Sequence, residues 1–421
     1  MDAVRAMLLV LVVLLHSLMA GVSRDALGAP VLANAMEGWP GFAALTWLAQ
    51  IMPLFFVLGG FAAYTQFSRE RDRGRTATEY IAGRLRRLLL PTAAAVAAAA
   101  VFLATLVVCG VPAEVVATAG FHIGQPLWFL AVYLGCSALV PFMMRWHETH
   151  PHLTIAVLAA GVIGVDIVGV STGAAAFGLI NMAFVWLLLQ QLGFALADGS
   201  FDGLSGRVRA MIVAGAIALL ATGMLAGFFS VNLLEALNPP QGALVLVGIA
   251  QTMIFLSVRG RLRDWAERPR VAAAVAWMNL RAMTIYSWHM LVVIALAGAL
   301  LLLPVDLPVP LTPDWWLARP LWFAVVGAAV WAVVRVAGVV ELRRDAGWPA
   351  VGTGRAVGAV VCGVAGVVLA LLGGSNPSAW VVAAALTTAA ITAVRPGAPS
   401  RGDSGGVRSR VPLAHGAYRA S

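Results

Sequence analysis

The chain contains no lysine and few charged residues of any kind. Only 11% of its 421 residues are charged, whereas 61% are hydrophobic. Soluble domains are closer to one quarter charged, so the composition excludes a water-soluble globular protein. The three cysteines, Cys109, Cys136 and Cys362, lie in apolar stretches without metal-ligand or pairing spacing. We therefore expect no disulfide framework and no cysteine metal site.

All 28 basic residues are arginine, and they give the chain a net charge of +9. They fall between apolar runs rather than on one basic face, so we expect no nucleic-acid partner. With a cytoplasmic N-terminus and alternating sides, only Arg24 and Arg319 face outward, which leaves 26 of the 28 inside. This distribution follows the positive-inside rule. It predicts a multi-pass protein of a bacterial inner membrane with both termini in the cytoplasm.

Twelve apolar runs are long enough to cross a lipid bilayer, since a spanning helix needs about 20 residues. The sequence therefore predicts an all-α, polytopic membrane helix bundle. We expect the residues after 394, which are rich in Gly, Ser, Pro and Arg, to form a disordered cytoplasmic tail. The predicted spans are 4–20, 42–64, 88–109, 126–144, 153–170, 175–197, 210–230, 242–258, 282–303, 318–338, 356–373 and 378–394.

Arg5 and His16 are the foremost candidates for function, because ionisable side chains at membrane depth are costly. Their spacing of eleven residues is close to three helical turns, so both lie on one face, about 16 Å apart along the axis. A histidine there is a competent general base toward a hydroxyl group. The alternative is a helix-packing histidine beside an ordinary interfacial arginine.

Arg84 and Arg87 end the longest predicted cytoplasmic loop, at 65–87, directly before an apolar run. Guanidinium groups suit phosphate oxygens, although topology and attraction to anionic lipid also explain such arginines. A phosphorylated cytosolic donor would find its site here.

Two further histidines are weaker candidates. His289 lies three residues after Tyr286 on the ninth predicted span, so the two side chains are neighbours. They would polarise a carbonyl group or orient His16, and an interfacial aromatic belt would also explain the tyrosine. His122 lies in a predicted outer loop, either as a contact to an acceptor or as a solvated histidine. No histidine cluster has a full ligand set nearby, so we expect no metal.

Five short motifs, in order along the chain, resemble those of the membrane-bound acyltransferase family 3. The similarity covers about residues 1–340. Two departures stand out, since the family's serine in the second motif is Gly59 here and two helices follow the family's usual ten. The motifs are Arg5-x10-His16, Phe55-Phe56-Val57-Leu58-Gly59-Gly60-Phe61, Arg84-x-x-Arg87 before Pro91, Leu127-Trp128-Phe129-Leu130 and Tyr286-Ser287-Trp288-His289-Met290.

The resemblance implies an O-acyltransferase that uses cytosolic acyl-CoA, typically acetyl-CoA. The implied acceptor is a hydroxyl of a sugar, glycolipid, envelope polysaccharide or secreted metabolite. Arg84 and Arg87 would then hold the phosphates of the donor, and Arg5 and His16 would serve the acyl centre. His16 would act as base or as transient acyl carrier. The supporting residues would be Trp128, His122, Tyr286 and His289.

We divide the chain into an acyltransferase membrane domain at 1–340, two additional transmembrane helices at 341–394 and the tail at 395–421. Some relatives carry a fused soluble transferase domain, for which the predicted tail here is too short. We therefore expect transfer to finish in the membrane or to involve a separate extracytoplasmic partner. The alternative function is a 12-helix secondary transporter without covalent chemistry. The short central loop and the lack of visible repeats argue against it.

Overall fold

A computed structural model describes residues 1–24, 30–36, 38–173, 175–303, 307–342 and 351–395. The described chain is a bundle of long helices, which confirms the predicted all-α membrane fold. Eleven helical segments in it are long and apolar enough to cross a membrane, and one further apolar helix is shorter. Nearly all of the predicted tail lies outside the described residues.

The first half of the chain ends with the helix that packs at the centre of the bundle, α9. A short antiparallel hairpin, which the sequence did not predict, follows the first helix and pairs Ala20 with Asn34. The elements are α1 (Asp2–Met19), β1 (Ala20–Arg24), β2 (Pro30–Asn34), α2 (Phe42–Ala49), α3 (Met52–Asp72), α4 (Ala77–Val108), α5 (Ala113–Gly124), α6 (Leu127–Thr149), α7 (Pro151–Thr172), α8 (Ala175–Gly178) and α9 (Asn181–Ala197).

The second half adds helices around this centre. The helix α12 has no buried residue and packs against α1. The last two helices pack against each other and against α4. The elements are α10 (Gly206–Leu225), α11 (Gly242–Ala266), α12 (Pro269–Leu280), α13 (Ala282–Leu302), α14 (Pro313–Ala337), α15 (Val339–Leu342), α16 (Thr353–Leu372) and α17 (Pro377–Ala393).

The predicted loop at 65–87 is wrong, because α3 and α4 extend through most of it. Only residues 73–76 connect the two helices. Gly74 takes the left-handed backbone conformation that this tight turn needs. Thr76 and Glu79 then form a capping box, each side chain bonding the other residue's backbone N–H. A span predicted from hydropathy ends at the first charged residues, because these lower the mean hydropathy. The helix itself continues into the polar region.

Two membrane segments are interrupted within their apolar stretch. Only Gln50 and Ile51 separate α2 from α3, and only Gln125 and Pro126 separate α5 from α6. Non-helical backbone at membrane depth is tolerated where it is buried in protein or lines a cavity. The predicted outer loop around His122 is therefore wrong. The predicted loop residues form the helix α5 (Ala113–Gly124), which is too short to have met the criterion for a span.

Candidate functional site

A cavity of about 280 Å³ follows one face of α1 through the bundle. Arg5, Leu9, Val12, His16 and Met19 line it, at successive spacings of four, three, four and three residues. These spacings keep the side chains on one helical face. The distance from Arg5 to Met19 along α1 is about 21 Å at the rise of an α-helix. The predicted shared face of Arg5 and His16 is thus the wall of the cavity.

His16 meets a second histidine from the far end of the chain. Its Nδ1 lies 3.1 Å from Nε2 of His289, and the two ring centroids are 5.1 Å apart. His289 is fully buried, and its Nδ1 lies 2.6 Å from the carbonyl oxygen of Tyr286. The structure therefore brings His16 and His289 together.

The hydrogen bonds determine which nitrogen of each neutral ring carries the proton. The carbonyl of Tyr286 only accepts, so Nδ1 of His289 must donate to it. Nε2 of His289 is then the acceptor, and Nδ1–H of His16 donates to it. Nε2 of His16 keeps its lone pair in a residue that lines the cavity. A ring held in this tautomer is arranged to accept a proton from a ligand.

Tyr286 has a different role from the predicted polarisation of a carbonyl group. Its hydroxyl donates to the carbonyl oxygen of Pro126 at 2.5 Å, so the proton is already used. The tyrosine thereby joins α13 to the break between α5 and α6. Trp128, in the first turn after that break, lines the cavity and packs 5.7 Å from the Trp186 ring.

His122 does not line the cavity. Its ring contacts that of Phe121 at 5.4 Å, and its side chain bonds Gln125, which does line the cavity. His122 therefore reaches the site only through Gln125.

Three arginines line the cavity near the start of α1 and of α4, at different depths. Arg87 is exposed, Arg5 is half-buried and Arg84 is 7% exposed. Arg84 is held by two partners, because its Nη2 donates to the Tyr133 hydroxyl at 3.1 Å and its Nη1 to Gln66 at 3.2 Å. All three positively charged side chains lie close enough to Tyr133 to interact with it electrostatically. This end of the cavity is suited to an anion.

Glu341 is the acidic residue that lines the same end. Its carboxylate accepts hydrogen bonds from the backbone N–H groups of Met283 and Thr284 and from the Thr284 hydroxyl, at 3.2, 2.9 and 2.6 Å. It therefore caps the start of α13, the helix that carries His289. Burial raises the pKa of Glu341, although these hydrogen bonds and the charge of Arg87 oppose the shift.

His147, near the α6–α7 connection, belongs to a separate structural network. His147 is buried, and its ring bonds Gln191 at 2.8 Å and Asp198 at 2.9 Å. Burial alone would raise the pKa of Asp198, but hydrogen bonds from Ser200 and His147 outweigh it and lower the pKa. Within the described ranges, no group of three or more His, Cys, Asp or Glu side chains could hold a metal ion.

Several lining residues escaped the sequence-based prediction. Gln50 and Gln125 occupy the two helix breaks, Tyr133 holds Arg84, and Glu341 caps α13. An uncharged amide inside an apolar run was the available signal for Gln50. The roles of Gln125, Tyr133 and Glu341 depend on contacts between helices that are distant in sequence. No local sequence pattern indicates those contacts.

Comparison with known proteins identifies the family of the chain. A family model described as an acyltransferase domain matches residues 1–338, that is, α1 to α14. No curated protein and no solved structure matches the chain. His16, His289 and the three arginines lie within the matched residues, whereas Glu341, which also lines the cavity, and the last two helices follow them. The match confirms the resemblance drawn from the five motifs, and the chain belongs to the acyltransferase 3 family of membrane proteins.

Proposed function

We propose that the protein is an O-acyltransferase that moves an acyl group, typically acetyl, from cytosolic acyl-CoA to a hydroxyl group. The acceptor is a sugar, a glycolipid, an envelope polysaccharide or a secreted metabolite. The observation that carries this proposal is a single cavity with arginines at one end and the lone pair of His16 further along α1. Acyl transfer from a phosphorylated thioester uses both features, because arginines bind the phosphate groups and the lone pair accepts the proton of the attacking hydroxyl.

The length of the cavity supports acyl-CoA as the donor. Arg5 and His16 are about 16 Å apart along α1. The arm of coenzyme A between its phosphate and its sulfur has twelve bonds, equal to about four extended residues, or about 14 Å. A phosphate at Arg5 and Arg87 therefore leaves the thioester close to His16. Leu9 and Val12 line the wall between them, beside the apolar part of the arm.

The arginines divide this work. Arg87 and Arg5 are the accessible cations, so they contact the phosphates. Arg84 is committed to Tyr133 and Gln66 through two of its nitrogens. It contributes mainly its charge, which acts strongly inside a poorly solvated wall.

His16 acts as the general base. Its Nε2 takes the proton of the acceptor hydroxyl while the oxygen attacks the thioester carbon. The C–S bond then breaks, and the thiolate of coenzyme A takes the proton back from His16. His289 stabilises the cationic ring of His16 during this step, because its Nε2 accepts the Nδ1–H of His16. In this mechanism the acyl group passes directly from coenzyme A to the acceptor. In the alternative mechanism with a transient acyl carrier, His16 is the residue that carries the acyl group.

We place the arginine end in the cytoplasm, because 26 of the 28 arginines lie on that side when the spans alternate. Both termini are then cytoplasmic, in the inner membrane of a bacterium. Acyl-CoA is made in the cytoplasm and so approaches the arginine end directly.

Mass spectrometry of envelope glycans and secreted metabolites tests the proposed function. Four strains are compared: wild type, a deletion, His16→Ala and, as a control outside the cavity, His150→Ala. We expect a gain of acyl mass that requires the protein and His16 but not His150. Equal masses in all strains, with a metabolite redistributed between cells and medium, would favour a transporter instead.

A further inference from the structure

The two helix breaks place one glutamine each on the cavity wall. Gln50 lies between α2 and α3, and Gln125 lies between α5 and α6. Pro126, next to Gln125, accepts the hydrogen bond of Tyr286, one turn before His289. The helix break that contains Gln125 is therefore joined to α13 one turn before His289. Neither residue belongs to the donor site described above.

The side-chain amide of Gln50 is held in one orientation, and its oxygen has no hydrogen-bond partner among the described residues. Its Nε2 donates to the carbonyl oxygen of Leu233 at 2.8 Å, which determines the orientation of the amide because a carbonyl only accepts. The main-chain oxygen of Gln50 is held by Gln251 at 2.6 Å. Gln50 is 1% exposed, and its Oε1 has no hydrogen-bond partner within the described part of the chain. A buried acceptor without a hydrogen-bond partner is unfavourable, because it loses its bonds to water without replacing them.

This part of the cavity differs in charge from the donor end. Met19, one turn beyond His16 on α1, lines it, and so does the exposed Asn238. The charged side chains that line the cavity are Arg5, Arg84, Arg87 and Glu341, all on the other side of His16. Among the described residues, the polar groups beyond His16 are therefore neutral amides.

We propose that Gln50 and Gln125, with Asn238 at the rim, form the subsite for the acceptor. A free carbonyl oxygen takes an O–H or N–H donor and repels a carboxylate or phosphate. Gln50 Oε1 accordingly binds an uncharged hydroxyl of the acceptor, next to the hydroxyl that His16 deprotonates. This inference rests on the proposed function, because it requires an acceptor that bears hydroxyl groups.

Gln190 provides a matched control for Gln50. It too is buried, its Nε2 donates to a backbone carbonyl, that of Cys136, and its Oε1 lacks a partner among the residues that the structure describes. Gln190 does not line the cavity. The two glutamines therefore share the same local chemistry and differ in position, because only Gln50 is a cavity-lining residue.

The experiment measures transfer from radiolabelled acetyl-CoA by membranes that carry wild type, Gln50→Leu, Gln50→Met or Gln190→Leu. The acceptor is a serially diluted extract of the cells in which mass spectrometry detects the product. For both Gln50 variants we expect the extract needed for half-maximal transfer to rise about 5- to 15-fold, the loss of one hydrogen bond. The half-saturating acetyl-CoA concentration should not change, and Gln190→Leu should match wild type.

Two results would overturn the acceptor subsite. One is an unchanged extract requirement in both Gln50 variants, and the other is an equal rise in Gln190→Leu. Melting temperatures check that each variant is folded, and the methionine variant keeps the length of the side chain if leucine prevents folding. If wild type itself transfers no label, the proposed function fails, and that outcome is distinct from a failure of Gln50 alone.

Discussion

At the scale of the residue, the chemistry depends on two histidine rings that are 273 positions apart in the chain. His16 lines the cavity, whereas His289 is fully buried behind it. The carbonyl of Tyr286 fixes the tautomer of His289, and His289 in turn fixes that of His16. In the proposed mechanism His289 is thus a positioning residue, which acts on the substrate through His16.

Replacement of His289 should reduce kcat without weakening donor binding. We expect His289→Ala to lower kcat by about 100-fold, because His16 loses the acceptor that holds its tautomer. His289→Gln should recover part of that loss, since its amide oxygen also accepts from Nδ1–H of His16. Steady-state kinetics with acetyl-CoA, at equal folded protein, gives both constants. A loss confined to the KM for acetyl-CoA would refute the positioning role.

How far the sequence predicted these residues depends on whether their relation is local. Arg5 and His16 share one helix, so spacing alone placed them on one wall. His289 was found as a candidate, but its bond to His16 needs the packing of α1 against α13. Tyr133 was not identified at all, since only the structure shows its hydroxyl against Arg84.

At the scale of the element, α3 carries two adjacent glycines with different roles. A Cβ at Gly60 would meet the backbone oxygen of Gln190, because α3 and α9 cross closely there. A Cβ at Gly59 would lie 3.0 Å from the ring of Tyr133 and 3.4 Å from its hydroxyl. Gly60 therefore belongs to the packing of the bundle, and Gly59, where the family has serine, belongs to the support of Arg84.

The two glycines should respond differently to alanine. Gly60→Ala should destabilise the protein by about 1–3 kcal/mol, because the clash is with backbone, and leave the kcat of the folded fraction unchanged. Gly59→Ala should displace Tyr133 and raise the KM for acetyl-CoA about 10-fold, with little change in Tm. Thermal unfolding and kinetics on both variants separate the two effects. A stability loss in Gly59→Ala as large as in Gly60→Ala would remove the distinction.

Hydropathy predicted the spanning segments well and their ends poorly. Charges end a hydropathy window, whereas the Thr76–Glu79 capping box starts α4 within the charged stretch. The helix breaks were missed for a related reason. Gln50 and Gln125 interrupt the backbone without interrupting the apolar composition around them, so the runs looked continuous or ended in a loop.

At the scale of the whole molecule, the last two helices support the bundle without reaching the cavity. They lie beyond the residues matched by the family, and none of their described residues lines the cavity. They pack on α4 through small residues, as where a Cβ at Gly363 would lie 2.6 Å from Leu89. Their contribution is to the position of α4, the helix that carries Arg84 and Arg87.

Separation of these helices should lower stability and leave the chemistry intact. A Cβ at Gly366 would already lie 2.9 Å from Thr387 on the facing helix, so Gly366→Leu forces the pair apart. We expect a cost of about 1–3 kcal/mol, measured as a lower Tm, with kcat per folded molecule near that of wild type. A large loss of kcat at an unchanged Tm would instead place the two helices in the catalytic machinery.

The most direct test of the whole account is turnover of radiolabelled acetyl-CoA by the protein purified in lipid nanodiscs, with an extract of the producing cells as acceptor. Wild type, His16→Ala and the exposed control His150→Ala are compared, and equal Tm values check that all three are folded. The account predicts transfer by wild type and the control, and a loss of at least about 100-fold in His16→Ala. Full transfer by correctly folded His16→Ala would contradict it.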